Sequence, residues 1–242
     1  MGRNPQRSVV LKRDGVIIRR LTRGSIRSWS QVEFLPRALD GLRLLAKGHF
    51  GVLVIADRPC VGKGLLSAHE LQRLTQRLLL EVALEHGRID KVYCCPHTIR
   101  ESCHCRVPAR GLLRRALAEQ GLRATDTYLI GDSVSDLAVG SALGCLGILL
   151  RRDAFLRPSI AEDAGHRVVT NLYEAVERIL QRPADLGVMS QGGWRHLDFA
   201  HAAKPASSVS RNEQPLHHLP SAWAHQTGSV SMSALHSEGP DS

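Results

Sequence analysis

Gly51-Val52-Leu53-Val54-Ile55-Ala56 carries no polar side chain and is closed by Asp57-Arg58-Pro59. A run this short and this apolar predicts a strand buried on both faces, as in parallel sheets covered by helices on each side. The flanking segments agree. Residues 36–47 place Ala38, Leu42 and Leu45 on one helical face and end at Gly48. Residues 67–86 open on the capping box Ser67-Ala68-His69-Glu70, align Leu71, Leu74, Leu78 and Val82, and stop at Gly87. Further out, residues 8–11 form an apolar strand that breaks into Lys12-Arg13-Asp14-Gly15, and residues 91–94 a strand running into a Cys/His loop. A helix over 110–119, a strand over 127–130 ending at Gly131-Asp132, and a helix over 135–143 follow. Strands over 146–150 and 167–169 and a helix over 172–180 complete the pattern. Strands alternating with helices predict a three-layer α/β fold with a parallel sheet.

The chain has 242 residues, 43% of them hydrophobic and 23% charged, which excludes bulk disorder, collagen-like repeats and coiled coils. Length and pattern together predict one large domain over residues 8–182, preceded by an arm at 1–7. After Pro183 the apolar period is lost among Ser, His, Pro and Ala, so residues 183–242 are expected to be a disordered tail, although six of the twelve histidines lie in 190–242. No apolar run approaches the roughly 20 residues of a membrane span. Residues 1–7 lack the apolar centre of a signal peptide, so the expected location is the cytoplasm. The formal net charge is +9, and the first 189 residues hold 29 basic against 19 acidic side chains. That excess fits a phosphorylated ligand, a nucleic acid or a plain Arg-rich surface. No aromatic residues interleave with the basic ones, as a single-strand nucleic-acid platform would require.

Six cysteines in a cytoplasmic-looking chain point away from disulfides and toward metal ligation or burial. Cys95, His97, Cys103 and Cys105 fall in one loop, 95–105. Three thiolates and an imidazole complete a tetrahedral zinc site with no position left for water, so the zinc would be structural. Cys94 reads as the last strand residue, His104 as a solvent-facing spacer, Cys60 as a loop residue and Cys145 as a small core residue. In an open parallel sheet, ligands bind where strand C-termini meet the following loops. Those positions hold Lys12 to Gly15, Asp57-Arg58, the Cys/His loop, and Asp132 to Asp136.

The order of Arg-Asp-Gly-Val-Ile after the first strand, Phe34-Leu35-Pro36, Gly62-Lys63-Gly64, Tyr93-Cys94-Cys95-Pro96-His97, Cys103-His104-Cys105-Arg106 and Ile130-Gly131-Asp132 resembles the heptose bisphosphate phosphatases of the haloacid dehalogenase superfamily. The histidinol-phosphate phosphatases share the zinc loop. The resemblance spans roughly residues 8–182. It implies a Rossmann-like fold with a minimal cap, a sugar-phosphate substrate, and chemistry by two aspartates of an Asp-x-Asp-Gly motif, one the nucleophile and the other the general acid and base. It further implies a magnesium ion, with Asp132 matching a ligand and Asp136 a second acid of that loop.

Against that pattern the chain carries Lys12 at the nucleophile's position, while Asp14 keeps the acid-base position. An ammonium has no lone pair to attack phosphorus, and it sets positive charge where a carboxylate should help hold Mg²⁺. The family's phosphate-holding Thr is Ala56, and its phosphate-clamping Lys is Val107. Arg13, Arg58 and Arg106 leave the crevice able to receive an anion, and Lys12 is expected to pair with Asp14 or Asp132. The reading is a family member without turnover that binds a sugar phosphate or a protein partner. The alternatives are a Mg²⁺-dependent phosphomonoesterase with another nucleophile, such as water directed by Asp14 or Asp57, and a basic nucleic-acid-binding module.

Overall fold

Alternate residues of the central strands feed two different helical layers. The computed structural model describes residues 7–151 and 167–181. Strands β1 (Ser8–Lys12), β2 (Gly51–Asp57), β3 (Lys91–Cys95), β4 (Thr127–Gly131), β5 (Leu146–Leu150) and β6 (Arg167–Val169) form one sheet in the order β3-β2-β1-β4-β5-β6. Every pairing is parallel, with Lys12 beside Ile55, Leu11 beside Ile130 and Asp57 beside Cys95. Val9, Leu11, Val52, Val54 and Ile130 lie in one core with Leu42 and Leu45 of α1 (Ala38–Lys47), Leu78 and Val82 of α3 (Ala68–Leu84), and Ala175, Val176 and Ile179 of α6 (Leu172–Leu180). Val10, Leu53, Ile55 and Leu129, one residue out of phase, lie in a second core with Leu112, Leu113, Ala116 and Leu117 of α4 (Gly111–Glu119). On that strand phase Leu149 meets Leu137 of α5 (Val134–Ser141). Each fully buried Val, Leu or Ile contributes roughly 1.5–3 kcal/mol, so an apolar run with both parities filled is what holds the sheet between two helical layers.

The predicted elements all form, with shifts at their ends. The capping box of α3 is made: Ser67 Oγ accepts from Glu70 N at 3.1 Å and Ser67 N donates to Glu70 Oε2 at 2.7 Å. Helix α1 begins at Ala38, after Arg37 in a left-handed conformation. Helix α5 lies earlier than predicted because Ser133 caps it, its hydroxyl accepting from Asp136 N at 3.2 Å. Strand β3 runs on through Cys95, so Cys94 is its penultimate residue. Cys60 is buried on the single-turn helix α2 (Pro59–Gly62), and Cys145 is a core residue. No described helix is long and apolar enough to cross a membrane. The predicted tail at 183–242 lies outside the described residues, as does the predicted arm apart from Arg7.

The chain leaves β1 for β2 and β3 on one side, then returns to place β4 on the other side of β1. The loops after β1 and β4 therefore diverge, and a crevice opens at their carboxyl ends. Lys12 to Gly15, Asp57-Arg58 and Asp132 to Asp136 stand around it, with Cys95 at the end of the neighbouring β3.

Candidate active-site crevice and metal loop

After β1 the chain turns back on itself: Gly15 N donates to Ile18 O at 2.8 Å and Ile18 N to Arg13 O at 3.0 Å. This return buries Val16, Ile17 and Ile18 and fixes Asp14 at the mouth of the crevice. Gly15 has φ +91°, and a Cβ there would overlap the Asp132 carboxylate. Only glycine meets both demands, so Gly15→Ala should destabilise the fold by about 2 kcal/mol or more in denaturant titration. Unchanged stability would mean that Asp132 is not held against the turn.

Lys12 is the last residue of β1, its side chain only 8% exposed. Its Nζ donates to Asp57 Oδ2 at 3.0 Å and stands 3.4 Å from Asp136 Oδ1. The expected pairing with Asp14 or Asp132 is thus replaced by one with Asp57 and Asp136, since those two carboxylates flank the strand end at the level of the ammonium. Burial acts to lower the Lys12 pKa, but Asp136 and Asp57 outweigh it and hold the group above the ordinary lysine value. Lys12 is therefore charged at neutral pH.

The other carboxylates are held in the same way. Asp14 accepts from Arg58 Nη2 at 2.9 and 3.2 Å and from Arg13 Nη2 at 3.0 and 3.2 Å. Arg58 is 1% exposed and also donates to Ile26 O at 3.4 Å, so it is turned inward onto Asp14. Asp132 takes Arg20 Nη2 on both oxygens, at 2.8 and 2.9 Å, from a loop 112 residues earlier. Asp136 Oδ2 accepts from Ser133 Oγ at 2.6 Å. Arg106 donates to His97 O, and its Nε lies 3.9 Å from Asp57 Oδ1. Burial raises the Asp14 carboxyl above its usual value, against the pull of Arg13, and raises Asp132 against the pull of Arg20. Arg20 is the member of this set that the sequence pattern did not offer.

Cys95, His97, Cys103 and Cys105 bring their donor atoms within 4.8 Å of one another. Cys95 Sγ lies 3.6 Å from His97 Nδ1, 3.6 Å from Cys103 Sγ and 3.1 Å from Cys105 Sγ, and His97 Nδ1 lies 3.1 Å from Cys105 Sγ. Tetrahedral thiolate ligands on zinc stand about 3.7 Å apart, so this donor set could hold such an ion after small adjustments. Cys95 is anchored as the buried end of β3, while His104 points to solvent. Cys94 faces the other way, against Cys60, Leu66 and Leu71.

The haloacid dehalogenase hydrolase-like family matches residues 104–175. The D-glycero-alpha-D-manno-heptose-1,7-bisphosphate 7-phosphatase of Mycobacterium bovis is 35% identical over 131 residues, covering 52% of this chain and 67% of that protein. The chain belongs to the heptose bisphosphate phosphatase family. The D-glycero-beta-D-manno-heptose-1,7-bisphosphate 7-phosphatase of Escherichia coli K12 is 27% identical over 188 residues, covering 73% of this chain and 96% of that one. Among solved structures, the D,D-heptose 1,7-bisphosphate phosphatase of B. bronchiseptica superposes with a TM-score of 0.65 at 24% identity, over 72% of this chain and 98% of the other, and shares its fold. That protein was crystallised with magnesium and phosphate. The crevice of the present family member does not fit a magnesium ion. Such an ion needs oxygen ligands at about 2.0–2.1 Å in octahedral geometry, and here Asp14, Asp57, Asp132 and Asp136 each already engage an ammonium or a guanidinium.

Proposed function

We propose that this chain is a heptose bisphosphate phosphatase homologue that has lost hydrolysis and keeps the crevice as a binding site for a phosphorylated sugar. The reading rests on Lys12. At the position where the family's nucleophilic aspartate is expected stands an ammonium, charged and paired to Asp57 and Asp136. A protonated amine cannot attack phosphorus, and phosphoryl transfer depends almost wholly on positioning and on charge, both of which are altered here. Asp14, at the acid-base position, has both oxygens on guanidinium groups, so it is poorly placed to take a proton from an attacking water.

Binding is supported by the charge count around the crevice. Lys12, Arg13, Arg20, Arg58 and Arg106 stand against Asp14, Asp57, Asp132 and Asp136. Arg13, Arg58 and Arg106 each keep a buried Nε–H without an acceptor. The cluster is short of oxygen atoms, and a phosphate group supplies them in charge-assisted form. In the same proposal zinc joins Cys95, His97, Cys103 and Cys105 and fixes the loop that carries Arg106.

The test pairs two assays on the full chain. With Mg²⁺ present, phosphate release from heptose 1,7-bisphosphate and from histidinol phosphate should stay at background, while the same sugar phosphates raise the melting temperature. Magnesium-dependent turnover abolished by Asp14→Asn would overturn the reading in favour of a phosphomonoesterase with a different nucleophile.

A further inference from the structure

We propose that Lys12 and Arg20 are tethered cations that take over the charge role of a divalent metal in this crevice, so that the wild-type protein has no divalent-cation site there and gains one when Lys12 loses its charge. The inference rests on the same Lys12 substitution as the proposed function and extends it from the missing nucleophile to the missing metal.

Three observations carry it. Lys12 Nζ bridges Asp57 and Asp136, at 3.0 and 3.4 Å, so one buried ammonium serves two carboxylates brought together from the ends of β2 and the start of α5. Arg20 reaches from an exposed loop, its side chain 56% accessible, to engage both oxygens of Asp132. The remaining oxygens are also accounted for: Asp136 Oδ2 by Ser133 and both oxygens of Asp14 by Arg13 and Arg58. A carboxylate cluster of this kind needs compensating charge, because like charges a few ångströms apart inside a protein repel strongly. A hard divalent ion is one solution and side-chain cations are another. The two exclude each other, since the same oxygens cannot face both.

A lysine that merely ties two strands together predicts something different. Its loss would destabilise the protein in every buffer, with or without metal. A lysine standing in for a metal leaves behind an acidic hole, which a divalent ion then fills and stabilises by mass action.

The experiment measures Mn²⁺ binding by electron paramagnetic resonance, and melting temperature in chelator-free buffer without and with excess Mg²⁺, so that the Cys/His loop keeps its metal throughout, for the full-length wild type, Lys12→Gln and Lys12→Arg. The wild type and Lys12→Arg should bind no Mn²⁺ in the crevice and should melt at the same temperature in both buffers. Lys12→Gln should melt on the order of 10 °C lower without Mg²⁺, because the buried Asp136 and the partly exposed Asp57 lose their partner. It should recover at least half of that loss in Mg²⁺ and bind Mn²⁺ about tenfold or more tightly than the wild type. Crevice Mn²⁺ binding by the wild type, or a Lys12→Gln loss that Mg²⁺ does not repair, overturns the inference. If Lys12→Gln does not accumulate as folded protein, Arg20→Gln serves in its place, since that loop is exposed. It must gain Mn²⁺ affinity relative to Arg20→Lys, and equal affinity in the two overturns the inference. Phosphate release is not read, so the two claims fail separately: a wild type that binds Mn²⁺ but does not hydrolyse sinks only this one.

Discussion

Lys12→Asp alone should restore less than about tenfold of phosphate release over background, whereas combining it with Ala56→Thr, Val107→Lys and Arg58→Gln should raise release by about a hundredfold or more, above the product of the single effects. Members of a catalytic unit act together, so returning one while the others are missing recovers little. The geometry adds a fourth position to the three that the family pattern marks. Even with an aspartate at position 12, Asp14 would remain between Arg13 and Arg58, its lone pairs spent on guanidinium donors. Arg58 is the more deeply buried of the pair, 1% exposed against 5% for Arg13, and holds Asp14 at 2.9 Å, so its removal should matter most for freeing the Asp14 carboxylate. Malachite-green detection of phosphate with Mg²⁺ present checks this. Full activity from Lys12→Asp alone would show that Asp14 is not restrained and that Ala56 and Val107 are tolerated. No gain from the fourfold variant would show that the crevice has diverged in shape as well as in charge.

What could be read from the residues was set by range. The run at 51–56 announced a doubly buried strand because its apolar character is local, and both parities of it are filled in the structure. The four metal-loop donors were legible for the same reason, since they lie within eleven residues of one another. The end of β3 lies one residue beyond the Cys94 that the sequence suggests, because in Lys91-Val92-Tyr93-Cys94-Cys95 nothing local marks which cysteine closes the strand. Pairing of Cys95 with Asp57 extends the strand, and the alternation puts Tyr93 and Cys95 on the α4 side and Cys94 on the other. The start of α5 was misjudged because Ser133 and Ser135 are both plausible caps, and only the first bonds to Asp136 N. The pairing of the crevice charges was out of reach. Lys12 and Asp57 are 45 residues apart and Arg20 and Asp132 are 112 apart, and an exposed arginine in a loop of several arginines carries no mark of its partner.

Cys95→Ser and Cys103→Ser should each remove zinc from the purified protein and lower the melting temperature by on the order of 10 °C or more, because binding energy at such a site is folding energy. The two substitutions should differ in reach. Cys95 is the buried terminus of β3, hydrogen-bonded through its backbone oxygen to Arg58 N at 2.7 Å, so loss of its thiolate loosens the strand end that carries the crevice floor. Cys103 lies further out in the loop, and its loss should free that loop while leaving β3 in place. Arg106 follows Cys105 directly and is held by the His97 carbonyl, so either change should also weaken whatever anion the crevice binds. His104→Ala and Cys94→Ser serve as controls: the first side chain faces solvent and the second faces the α3 side, so zinc content should remain at about one per chain in both. Metal analysis of protein purified without chelator, followed by Co²⁺ replacement and its thiolate absorption band, reads the site independently of any activity. Absence of metal in the wild type, or full zinc content in Cys95→Ser, would remove the ion from the loop.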